Sequence, residues 1–118
     1  MSASNCLKFI KDKDVEFVDL RFTDPRGKLQ HLTMDRKVVD NDMLNDGVFF
    51  DGSSIAGWKA INESDMILKP DTSRIFLDPF TSHNTAVIFC DILDAVKKTP
   101  YERDPRGVAK KAENYLKK

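Results

Sequence analysis

The chain has 118 residues, 41% of them apolar, with 19 basic and 19 acidic side chains and a formal net charge of zero. That length allows one domain with a modest core, and the apolar share excludes wholesale disorder. The balanced charge shows neither the basic excess nor the basic face of a nucleic-acid binder, and no apolar run reaches the ~20 residues of a bilayer span.

Lys8, Lys11 and Asp12 stand where a secretion signal would be apolar. Ser2 to Lys13 instead predicts a short amphipathic helix, with Ser4 or Asn5 as cap and Cys6, Leu7, Phe9 and Ile10 on its apolar side. From Val15 to Thr23 the period changes to two: Val18, Leu20 and Phe22 alternate with Asp19, Arg21 and Thr23, a half-buried strand. Asp24-Pro25-Arg26-Gly27 matches a type I turn. Lys28 to Met34 then returns as a second strand, with Leu29, His31 and Thr33 against Gln30, Leu32 and Met34. His31 has no second histidine or cysteine nearby and reads as a sheet-surface residue rather than a metal ligand.

Asp35 to Asp46 carries Val38, Val39, Met43 and Leu44 at helical intervals, and Gly47 closes that helix. After the segment from Phe49 to Lys59, Asn62-Glu63-Ser64-Asp65 predicts a polar turn. Met66 to Lys69 and Arg74 to Leu77 predict two strands or a hairpin about Pro70-Asp71-Thr72-Ser73. Glu63, Asp65, Asp71 and Asp78 read as caps and solvated corners rather than metal ligands. Thr85 to Leu93 is apolar on both phases, which predicts a central strand covered on both faces. Asp94 to Glu102 reads as a linker. Asp104-Pro105 predicts a helix start, followed by an apolar face of Val108, Ala109, Ala112, Tyr115 and Leu116. That face either folds back on the sheet or belongs to a further domain. Cys6 and Cys90, with no CxxC or Cys/His spacing, read as free thiols of a cytoplasmic protein. Together these elements predict an α+β domain, a mixed sheet of about five short strands with peripheral helices.

The stretch richest in chemistry is Phe49-Phe50-Asp51-Gly52-Ser53-Ser54-Ile55-Ala56-Gly57-Trp58-Lys59. Two glycines predict a shaped loop. Aromatics beside Asp51 shield its carboxyl from water in this reading, which raises its pKa and suits it to bind a small cation and accept a proton. Trp58 adds an aromatic wall that attracts cations. The plainer reading is a loop whose aromatics plug the core while Asp51 caps a turn. The five glycines build no GxxxxGK or GxGxxG phosphate loop, and no nucleophile stands with an evident base.

Phe50-Asp51-Gly52-Ser53-Ser54-Ile55, Gly57-Trp58 and Ile61-Asn62-Glu63-Ser64-Asp65-Met66 closely resemble the N-terminal domain of bacterial type I glutamine synthetase. The resemblance continues through Phe17-Val18-Asp19-Leu20-Arg21-Phe22-Thr23-Asp24, Cys90-Asp91-Ile92 and Arg103-Asp104-Pro105-Arg106, nearly end to end and in order. It implies a β-grasp-like domain over residues 1–102, with 103–118 as the first helix of a catalytic domain whose remainder is absent. It also implies a dodecamer of two hexameric rings, with each active site between adjacent subunits. In that arrangement the catalytic domain supplies the ATP contacts, the Mg or Mn ligands and most of the glutamate site. Asp51 would bind ammonium and take its proton, so that ammonia attacks γ-glutamyl phosphate. Ser54 would lie in the same substrate-side loop, and Trp58 would pack against or close to the site. No metal ligand and no nucleotide contact is expected within these residues, which would be inactive alone. The alternative is a stand-alone, non-catalytic module that docks onto synthetase subunits or other proteins.

Overall fold

The computed structural model describes residues 3–23, 28–51, 65–94, 100 and 104–117, and of 50, 51 and 65 the backbone alone. Helix α1 (Ala3–Asp12) buries Ala3, Cys6 and Ile10, a stripe at helical spacing. Because the stripe begins at Ala3, Ser4 and Asn5 lie inside the first turn rather than at the expected cap. The helix ends in a left-handed residue, Asp14 (φ 51°), and Val15 N donates back to Ile10 O at 3.0 Å, as in a Schellman-type stop.

Strand β1 (Phe17–Thr23) pairs antiparallel with β2 (Leu29–Asp35), from Phe17 opposite Asp35 to Thr23 opposite Leu29. The expected helix over 35–46 is broken in two: a 3₁₀ turn at Arg36–Val38 and helix α2 (Asn41–Asp46). The cause is a pair of competing caps. The Asp35 carboxylate accepts from Lys37 N and that of Asp40 from Met43 N, so each starts its own helix. Strand β3 (Val48–Asp51) follows, then β4 (Asp65–Pro70), the short β5 (Phe76–Leu77), β6 (Thr85–Asp94) and helix α3 (Pro105–Leu116).

Among the described residues the sheet is mixed and has six strands, in the order β2-β1-β6-β4-β3, with β5 also paired to β6. β6 is its axis, as its two-phase apolar pattern predicts. It runs parallel to β1 over Thr85 to Phe89 and antiparallel to β4 over Cys90 to Asp94, while β5 pairs with Ala86 and Val87. β4 and β5 therefore pair with β6 rather than with each other as a hairpin. Val18, Leu20 and Phe22 of β1, Met66 and Leu68 of β4, and Ala86, Ile88, Cys90 and Ile92 of β6 form one buried face. α1 and Leu44 of α2 cover it. Val87 and Ile67 are buried on the opposite face, so the centre of the sheet is covered on both sides. Cys6 and Cys90 are buried free thiols.

Candidate functional site

Asp51 is the last residue of β3, an extension of the sheet rather than part of the expected loop. β3 pairs with β4, from Val48 opposite Leu68 to Asp51 opposite Asp65. Asp65 is thus the first residue of β4, not the end of a polar turn. Ser53, Ser54 and Trp58, with Asn62, Glu63 and Ser64, lie outside the described residues. Phe49 is 69% exposed, so it neither plugs the core nor is itself shielded from water.

What places Asp51 is the joint at the other end of its strand. Asp40 caps the six-residue α2, and Gly47 N closes it on Met43 O at 2.8 Å. Gly47 has φ 89° and ψ −175°, a conformation open essentially to glycine alone. A Cβ there would sit 2.6 Å from both Ile67 Cγ2 and the Leu68 carbonyl oxygen. The backbone can press against β4 only because no side chain intervenes. Lys69 of β4 adds a second tie. Its Nζ donates to the carbonyls of Leu44 (3.3 Å) and Asn45 at the C-terminal end of α2, where a cation suits the helix dipole. From Gly47 only four strand residues remain to Asp51, so the joint fixes its register.

Two further charged groups lie away from β3. Asp19, buried on β1, accepts from Arg21 Nε (2.8 Å) and Thr33 Oγ1 (3.0 Å), and its Oδ1 lies 2.9 Å from His31 Nδ1. Arg21 Nη2 also donates to Asp78 Oδ2 at 2.7 Å. The hydrogen bond from the Phe80 backbone N–H, then that from the Arg21 guanidinium, holds the Asp78 carboxyl below the ordinary range. His31 is therefore a surface residue beside a carboxylate, as expected.

The second group joins α3 to the sheet. Asp104 is 2% exposed; one carboxylate oxygen accepts from Arg106 N (3.2 Å) as the helix cap, and the other from Ile92 N of β6 (3.0 Å). Arg106 reaches both Asp91 Oδ1 and Asp71 Oδ2 at 2.5 Å. The Asp-Pro start of α3 was legible, but the bond to Ile92 and the reach of Arg106 were not. They join residues 12, 15 and 35 positions apart. Beside this turn, an open depression of about 670 Å³ is lined by Thr23, Arg74, Phe76, Phe89, Pro105 and Arg106. None of these residues is on β3 or β4. Among the described residues no group of three or more His, Cys, Asp or Glu could hold a metal ion.

The family model for the glutamine synthetase beta-Grasp domain matches residues 14–95, which take in all six strands from β1 to β6. The chain belongs to the glutamine synthetase family. Glutamine synthetase of Rhizobium meliloti is 66% identical over 116 residues, which make up 98% of this chain and 25% of that protein. Its counterpart from Bradyrhizobium diazoefficiens is 59% identical over 116 residues, with the same two shares, 98% and 25%. A solved glutamine synthetase of Plasmodium falciparum superposes with a TM-score of 0.88 at 28% identity, covering 99% of this chain and 23% of that one. The chain thus spans about a quarter of the length of the glutamine synthetases it matches. The resemblance seen in the sequence and the β-grasp, α+β architecture are both borne out.

Proposed function

We propose that this glutamine synthetase domain supplies the ammonium side of an active site completed by a much larger catalytic domain. The reaction is ATP-dependent ligation of ammonium to glutamate. In this reading Asp51 binds ammonium by charge attraction and accepts one of its protons. The ammonia released attacks γ-glutamyl phosphate, forming the C–N bond of glutamine as phosphate leaves. Ser54 and Trp58 belong to the substrate side of the same segment. One observation carries the reading: Asp51 stands at the tip of a short strand whose register is fixed by a glycine-only joint, in a chain whose relatives are glutamine synthetases.

The relatives are about four times longer than this chain, which leaves room for a catalytic domain beginning near residue 103. ATP and Mg or Mn would be held there and would supply the phosphorylation of glutamate. The proposed partners are the catalytic domain of the same chain and that of the adjacent subunit, in a dodecamer of two hexameric rings. The buried thiols fit a cytoplasmic setting, and among the described residues no helix is long and apolar enough to cross a membrane.

Mixing these 118 residues with a separately produced catalytic remainder tests the shared site. The expected result is phosphate release that needs both glutamate and ammonium and is lost with Asp51→Asn. Binding without turnover, insensitive to Asp51, would replace this reading with that of a docking module.

A further inference from the structure

The register of β3 on β4 sets Asp51 directly opposite Asp65, the last pair of that antiparallel ladder. Among the described ladders no other pair sets two carboxylate residues opposite each other. Residues so placed share a face, commonly with Cβ atoms about 4.5–5.5 Å apart, and like charges there destabilise the sheet. By the alternation of β4, residue 65 falls on the face of Ile67 rather than the one that buries Met66 and Leu68. The next row on that face is Phe49, Ile67 and Leu93, all apolar, and Ile67 is 4% exposed. β3, β4 and β6 hold one cation between them, Lys69. Its Nζ is committed to the Leu44 and Asn45 carbonyls of α2. What β6 adds at this end is a further acid, Asp94, opposite Met66. Asp42 and Asp46 of α2 precede β3 at its other end. The three strands thus set no counter-charge beside the pair.

We propose that Asp65 is a positioning residue for ammonium: its charge, set opposite Asp51, strengthens the hold of Asp51 on the cation and its acceptance of a proton. The inference rests on the ammonium reading of Asp51 given above. Two carboxylates in one site cannot both ionise as readily as either alone, so the pair keeps a proton to higher pH than a lone aspartate. That makes Asp51 the stronger base. An N–H bond of ammonium breaks, an O–H bond forms on Asp51, the nitrogen keeps the electron pair, and Asp65 stays ionised. A small monovalent cation also gains Coulomb attraction from the second negative charge. An uncompensated pair at the end of an otherwise consistent ladder is a local conflict of the sort that functional sites carry.

Steady-state kinetics test this in an enzyme in which these 118 residues replace the matching quarter of the Rhizobium meliloti relative. Asp65→Asn should raise KM for ammonium by roughly tenfold or more, while KM for ATP stays within about twofold. The acid limb of kcat/KM for ammonium should move down by roughly one pH unit. Asp65→Glu, which keeps the charge, should recover most of the loss. In the 118-residue chain, Asp65→Asn should raise the unfolding midpoint at about pH 7 and bring little gain at about pH 3, where the pair is largely protonated. An unchanged ammonium KM and acid limb, in an enzyme that Asp51→Asn does disable, would overturn the role of Asp65 alone. A rise in both KM values with a lower unfolding midpoint would overturn it too, as the mark of a merely structural residue. Indifference to Asp51→Asn would remove the ammonium reading, and this inference with it. If Asp65→Asn does not fold, Asp65→Ser carries the same expectations.

Discussion

At Gly47 the backbone takes a φ of 89° against a neighbouring strand that leaves no room for a methyl group. Gly47→Ala should therefore incur both backbone strain and a steric conflict, for about 2–4 kcal/mol of lost stability. Denaturant unfolding would show this as a lower midpoint at unchanged slope; a loss under about 0.5 kcal/mol would mean that β3 is free to shift. The sequence marked Gly47 only as a helix stop. Its closer role depends on Ile67 and Leu68, some twenty positions away, and no local pattern reports a backbone-to-strand approach. Asp51 was legible as a candidate from its neighbours, but not its place in a strand, because a four-residue edge strand carries too little alternation to announce itself.

Among the elements, β6 was the most legible, since a run apolar on both phases has few places in a small domain except the centre of the sheet. The helix over 35–46 was misread because two aspartates five positions apart each offer a cap. α3 was correctly started at Asp104, yet its apolar stripe stays exposed and its attachment is ionic. Asp104→Ala should cost about 2–4 kcal/mol, for the lost cap and the unsatisfied Ile92 N–H. Asp104→Asn, which keeps an acceptor, should cost less than half of that.

The Asp104 and Asp71 carboxyls at the start of α3 also respond oppositely to pH, in the company of Asp91, Arg106 and Lys110, whose Nζ donates to Asp91 Oδ2. Burial raises the Asp104 carboxyl above its ordinary value, against the bonds from Ile92 and Arg106. Its share of stability is full below about 4, the unfolded value, and is lost as pH rises through the folded value. Burial works upward on Asp71 too, but bonds from Ser73 and Arg106 outweigh it and hold that carboxyl well below the usual range. Its share is present above about 4 and is lost as pH falls through the folded value. The stability advantage of the unaltered chain over Asp104→Asn should thus shrink as pH rises from about 4 through the raised folded value. Unfolding midpoints measured at increasing pH check the sign, and an advantage that grows with pH would contradict it.

For the whole molecule, a compact β-grasp sheet presents Asp51 at one end of β3, while α3 leaves from β6 with an uncovered apolar face. Both features are compatible with the proposed reading of this chain as one side of a shared site, and the chain spans about a quarter of the glutamine synthetases it matches. The most direct measurement is steady-state kinetics of an enzyme in which these 118 residues replace the matching quarter of the Rhizobium meliloti relative. With Asp51→Asn, kcat/KM for ammonium should fall by roughly a hundredfold or more, while KM for ATP stays within about twofold. An ammonium dependence unchanged by the substitution would contradict the role assigned to Asp51, and with it the central claim.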